Sequence, residues 1–105
     1  MIEDLKNDDV RHWAEAYPTG LNFLLEKRDF PREPAAFESQ FEESFVGTYN
    51  SLDDYIFDLI EDQYGVTATE FPFAHIDIDS AWYDLECDAW FKFDDEHGDV
   101  HIFRP

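Results

Sequence analysis

Four carboxylates, Asp54, Asp58, Glu61 and Asp62, recur within the stretch SLDDYIFDLIEDQYG with no lysine or arginine among them. At about 100° per residue of a helix they fall inside one arc of roughly 100°. Acids so arranged could hold a divalent cation, join a lysine in a nuclease-like centre, or present charge to a basic partner. Metal is the weaker reading. In HIDID, Asp77 and Asp79 stand two apart, but Ala81 and Trp82 follow where a calcium loop needs another oxygen and a glycine. His97, Asp99 and His101 suggest zinc, yet two histidines without a second thiol read as ordinary turn and strand residues. No metal and no cofactor is expected.

Catalysis fares no better. The chain has no Gly-rich phosphate loop and no G-x-S-x-G, and the pairing of Asp88 with Lys92 reads as a surface pair. Cys87 lies between Glu86 and Asp88, whose charges oppose a thiolate, so a buried or inert thiol is expected. What remains is a binding surface, and the protein is not expected to be an enzyme.

The charge balance supports that reading. The 105 residues carry 26 Asp and Glu against 7 Lys and Arg, a formal net charge of −19. From Glu33 through Phe91 there is neither lysine nor arginine. Such acidity in an apolar-poor chain would mean disorder, but aromatics make up 18% and apolar residues 44% of this one. It is a folded acidic domain that repels nucleic acid and anionic membrane and favours a basic partner. One cysteine, an acidic first segment and no apolar run of about 18 residues point to a cytoplasmic protein without a membrane span.

The elements that must carry these residues follow from periodicity. DDVRHWAEAY reads as a short helix closed by Pro18 and Gly20, and LNFLLEKR as a buried helix or strand. PAAFESQFEESF sets Phe37, Phe41 and Phe45 on one helical stripe with Pro34 in its first turn. Gly47 and Asn50 mark a joint. The helix that follows opens with Ser51 and Asp54 as a capping pattern and stops at Gly65. FPFAHIDIDSAWYDLECDAW begins extended and turns helical near Asp77 or Asp79, with Ile78, Ala81, Trp82, Leu85 and Ala89 on one stripe. WFKF, DDEHGD and VHIF read as a hairpin with alternating sides. The predicted class is α+β: short acidic helices packed with a small C-terminal antiparallel hairpin, as a helical subdomain over 1–48 and an acidic α+β subdomain over 49–105.

Over about residues 49–105 this pattern resembles the C-terminal region of the ArdA-type antirestriction proteins, a family of acidic DNA mimics. The resemblance rests on SLDDYIFDLIEDQYG, FAHIDIDSAWYDL and the closing HIFR, with Tyr55, His75, Ile76, Asp77, Asp84, Leu85, Ile102 and Phe103 at the matching positions. It implies a homodimer that occupies the DNA-binding cleft of type I restriction-modification enzymes without binding nucleic acid itself. Charge density agrees with it. Four carboxylates over the roughly 12 Å from Asp54 to Asp62 give about one charge per 3 Å, and one strand of B-DNA carries a phosphate per about 3.4 Å. The expected phosphate-mimicking surface is Glu38, Glu42, Asp54, Asp58, Glu61, Asp62, Asp77, Asp79, Asp84 and Asp88. A broad apolar stripe of Tyr55, Ile56, Phe57, Leu59, Ile60 and Tyr64 is the expected dimer contact. The competing expectation is an acidic adaptor or immunity-type protein that neutralises one basic partner around an aromatic hot spot, with Trp82, Tyr83 and Trp90 as its candidates. An ordinary solvated face is the plain reading of any single helix of this kind.

Overall fold

The computed structural model describes residues 1–64 and 77–105. Among them are five α-helices and three strands in an α+β arrangement. The chain forms two compact units, Met1–Val46 with Arg104, and Gly47–Phe103 with Pro105.

The first unit is helical. After a 3-10 turn at Ile2–Asp4, helix α1 (Asp8–Ala16) starts where Asn7 Oδ1 accepts the Asp9 and Val10 amides at 2.9 and 3.3 Å. Those bonds satisfy donors that a helix start leaves orphaned, and Asp8 and Asp9 suit the positive end of its dipole. The sequence segment LNFLLEKR, ambiguous between helix and strand, lies in helix α2 (Pro18–Glu26). Pro18 is therefore a starter as well as a stopper, because a first-turn residue has no intrahelical amide bond to lose. Gly20 is buried inside α2 and closes nothing. Asp29 adopts φ 55°, a left-handed turn that sends Phe30 inward.

Helix α3 (Pro34–Ser44) is capped by Glu33, whose oxygens accept the Ala35 and Ala36 amides at 3.3 and 2.9 Å. Its predicted aromatic stripe forms the core of this unit. Phe37 and Phe41 are buried, Phe41 lies 5.0 Å from Trp13 between ring centroids, and Phe37 lies 5.7 Å from Phe30. Arg104 donates from its amide to the Ser44 carbonyl at 2.7 Å and from Nε to the Glu43 carbonyl at 2.8 Å. One of the two basic residues of the second half thus serves the carbonyl end of α3.

Phe45 leaves the helix, and Phe45–Tyr49 form strand β1. The expected joint at Gly47 and Asn50 coincides along the chain with the start of the second unit at Gly47 and with a bend at Asn50; the strand that contains Gly47 was not expected. The helical spacing of Phe37, Phe41 and Phe45 hides the change of period, while Phe45, Val46, Thr48 and Tyr49 are residue types that favour a pleated strand.

In the second unit, helix α4 (Leu52–Tyr64) begins with the Asp54 amide donating to Ser51 Oγ at 3.2 Å. Helix α5 (Ile78–Cys87) is capped by Asp77, which accepts the Ser80 amide at 3.1 Å. Gly65, His75, Ile76 and the predicted extended stretch lie outside the described residues, as does the Tyr64 side chain. Ala89 is not on the α5 stripe. The helix ends at Cys87, and Ala89 turns at φ 71° with its amide donating to the Glu86 carbonyl at 3.0 Å.

Strands β2 (Phe91–Asp94) and β3 (Val100–Phe103) pair antiparallel as the hairpin predicted, with Phe91 opposite Phe103 and Asp94 opposite Val100. The sheet order is β1-β3-β2. Sides alternate in β3, with Val100 and Ile102 in the core cluster and His101 and Phe103 outside it, but exposure does not, since all four residues are buried. Packing covers both faces: Val100 and Ile102 join the core cluster, while His101 meets Thr48, Asp95 and Phe93, and Phe103 stacks on Phe91. Tyr55, Ile56, Trp82, Val100 and Ile102 make the core of this unit, flanked by Leu52, Leu59, Ile60, Ile78, Ala81, Leu85 and Trp90.

Candidate functional site

The acidic face of α4 is positioned by what lies on its other side. Tyr55 and Ile56 are 3% and 1% exposed and fix the rotation of the helix. That rotation turns Asp54, Asp58 and Asp62 outward as exposed residues, with Glu61 half-buried beside them. Successive members of the exposed row are separated by one helical step of four residues, about 6 Å. Asp58 also accepts the Tyr49 hydroxyl at 3.5 Å. Burial, then the neighbouring Tyr49 and Asp58 charges, push the Tyr55 hydroxyl up to about 12 from its ordinary 10.0. The helix thus keeps a neutral buried phenol one turn away from exposed anions.

Helix α5 supplies Asp79 and Asp84 as exposed carboxylates, Asp77 caps its start, and the exposed Asp88 follows at its C-terminal cap. The Asp77 carboxyl is held below its ordinary value by the Ser80 amide and the Ser80 hydroxyl. Of the three aromatic hot-spot candidates only Tyr83 stands out, at 64% exposed; Trp82 is 4% exposed in the core, and Trp90 is half-buried against it. Of the expected alternatives for Cys87, a buried or an inert thiol, burial is excluded, since this last residue of α5 is exposed. Lys92 pairs with Asp94 and not with Asp88, because the two face each other two residues apart on β2.

Glu38 and Glu42 belong to the first unit and have local work there. Glu38 accepts the amides of Lys6 and, at 3.0 Å, Asn7, and Glu42 accepts from the Asn7 side-chain amide. Together they fasten the segment before α1 to α3. An open pocket of about 290 Å³ lies beside them, lined by Asp4, Lys6, Glu33, Pro34, Ala35 and Glu38.

Among the described residues no group of three His, Cys, Asp or Glu side chains is placed to hold a metal ion. The suggested zinc set of His97, Asp99 and His101 is not assembled. His101 is completely buried, with Nε2 2.8 Å from Asp95 Oδ2 and Nδ1 2.8 Å from Thr48 Oγ1. Burial alone would raise the Asp95 carboxyl; bonds from His101 and from the His97 and Asp99 amides outweigh it and hold the group below its ordinary 3.8. Sequence reasoning missed this trio. Asp95 sits in a turn-prone acidic run where nothing marks one carboxylate as buried, and Thr48 lies 53 residues from His101.

The geometry therefore offers two distinct features: exposed carboxylate rows on α4 and α5, and a buried hydroxyl–imidazole–carboxylate chain. Comparison with protein-family models, curated proteins and solved structures finds no match to this chain.

Proposed function

We propose that the chain is a DNA-mimic antirestriction protein, which occupies the DNA-binding cleft of a type I restriction-modification enzyme and blocks it. The observation that carries this reading is the row Asp54, Asp58 and Asp62, exposed on one face of α4 within a sequence window without lysine or arginine. A cleft that grips phosphates with lysine and arginine makes charge-assisted hydrogen bonds equally suited to spaced carboxylates. Carboxylates present no base edges, so inhibition would be indifferent to the DNA sequence that the enzyme reads. It would weaken as salt rises, because screening acts on the attraction between the face and the cleft. The mimic acts as a homodimer of the second unit through the half-buried Phe57, Leu59 and Ile60 of α4, and monomer mass by light scattering would refute that element of the proposal.

The test is competition against unrelated duplexes for a purified type I methyltransferase core. Neutralising Asp54, Asp58, Glu61 and Asp62 together, to Asn and Gln, should sharply weaken inhibition, whereas single changes should cost little because a distributed field has no hot spot. If the quadruple variant folds by circular dichroism and inhibits like the parent, this face is not the mimic.

Tyr83 favours a second reading. It is an exposed aromatic on α5 with Asp79 and Glu86 at helical spacing around it, the composition of an anchor for one basic protein partner. Tyr83→Ala distinguishes the two: an adaptor loses its partner, and a mimic keeps its inhibition.

A further inference from the structure

We infer that Thr48 is an acyl-acceptor site, its hydroxyl held against a buried base. Asp95 stands between β2 and β3 with a side chain 2% exposed. Its Oδ1 accepts the His97 amide at 2.8 Å and the Asp99 amide at 3.1 Å, and its Oδ2 meets His101 Nε2 at 2.8 Å. An ionised carboxylate can only accept, so Nε2 carries the proton and Nδ1 presents a lone pair. That lone pair lies 2.8 Å from Thr48 Oγ1, and the hydroxyl donates to it. Thr48 is an exposed residue of β1, whereas His101 is wholly buried. A surface hydroxyl is thus set against an imidazole whose tautomer is fixed from behind by a carboxylate.

This order is the one by which a neutral hydroxyl becomes a nucleophile: the base takes the proton as attack proceeds, and the carboxylate orients the base and stabilises the imidazolium. Asp95 acts here as a positioning residue. The ligand class is a small activated acyl donor, an aryl ester or thioester. Thr48 Oγ attacks the carbonyl carbon, and the new C–O bond forms as the bond to the leaving group breaks. The leaving group departs with that bond's electron pair, and the Thr48 proton passes through His101 Nδ1 to it. No atom is oxidised or reduced. The product is a single ester on Thr48, a modification of the protein that needs no turnover.

The probe is p-nitrophenyl acetate on the whole chain, with acetylation rates read residue by residue from peptide masses. Thr48 should react about 10²-fold faster than Thr19, an exposed threonine on α2 that serves as an internal reference. Thr48→Ser should keep the adduct at this position and Thr48→Val should lose it. His101→Gln, which can accept or donate but cannot take up the proton, should slow Thr48 to the Thr19 rate. Equal rates at Thr48 and Thr19 in the unaltered protein would overturn the inference, whatever the variants do, and so would an unchanged Thr48 rate in folded His101→Gln.

Discussion

Asp95→Asn is the most informative single substitution for the second unit. The carboxylate accepts three hydrogen bonds, from the His97 and Asp99 amides and from His101 Nε2. Bonds to a charged acceptor contribute about 1.5–3 kcal/mol each, and neutral ones about 1. An asparagine can retain the two amide bonds on its oxygen, but its NH2 then faces the Nε2 proton. The clash is relieved only if His101 moves its proton to Nδ1 and the Thr48 hydroxyl turns from donor to acceptor. Three bonds then survive at neutral strength, a loss of about 3 kcal/mol, offset by about 1 kcal/mol because a buried charge has been removed. The expected net cost is about 2 kcal/mol, or a fall in Tm of roughly 10 °C for a chain of this size. Asp95→Ala strands all three donors and should cost about 5 kcal/mol, near the whole stability of a small domain. Urea unfolding followed by circular dichroism measures both. Thr48→Val removes the acceptor that the tautomer change requires, so the Asp95→Asn/Thr48→Val pair should be more destabilised than the sum of its singles. A cost below about 0.5 kcal/mol for Asp95→Asn, or strict additivity with Thr48→Val, would refute the assigned tautomer.

Moving from low to moderate salt should raise Tm, since screening weakens repulsion among the acids between Glu33 and Phe91; a scanning calorimetry series that is flat or falling would contradict this. Ala89→Gly should stabilise by about 1 kcal/mol, because its positive φ strains a side chain that glycine lacks, and chemical denaturation reads the change directly. The Tyr55 hydroxyl is raised in the fold from 10.0 to about 12, so its contribution is complete below the unfolded value and is lost as pH climbs from 10 towards 12. Tyrosinate absorbance and circular dichroism should change together in that window. For Asp95 the folded value is lowered, so its contribution is present above the ordinary carboxylate range and lost as pH falls through the lowered value.

Local signals carried most of the element assignment. Ser51, Asp77 and Pro34 each start the helix that their chemistry predicts, and Phe37 and Phe41 are core because helical spacing leaves them no other face. The sequence was less legible where partners are distant. Strand β1 has the composition of a strand, but its first residue completes a helical aromatic series, and only pairing in the sheet decides the period. Ala89 fits the α5 stripe by spacing, yet the backbone turns before reaching it. For the candidate surface, periodicity sufficed to turn Asp54, Asp58 and Asp62 outward. It could not show that Glu38 and Glu42 are tied to the segment before α1, since those bonds span 31 to 35 residues.

The stability of α4 bears on what its charges are for. Burying Tyr55 and Ile56 contributes about 1.5–3 kcal/mol each, whereas each like-charge neighbour about 6 Å away costs roughly 0.7 kcal/mol in water before screening. The apolar side therefore holds the helix in place against its own acidic side, and no described base has to be spent on neutralising Asp54, Asp58 or Asp62. Folding does not require those acids. Replacing Asp58 and Glu61 by Asn and Gln should accordingly leave the denaturation midpoint unchanged or higher, so that under the proposed function a loss of inhibition in neutralised variants would report on binding to the enzyme and not on the fold. A lowered midpoint would mean that the acids are bonded within the protein, and the carboxylate row would then be structural.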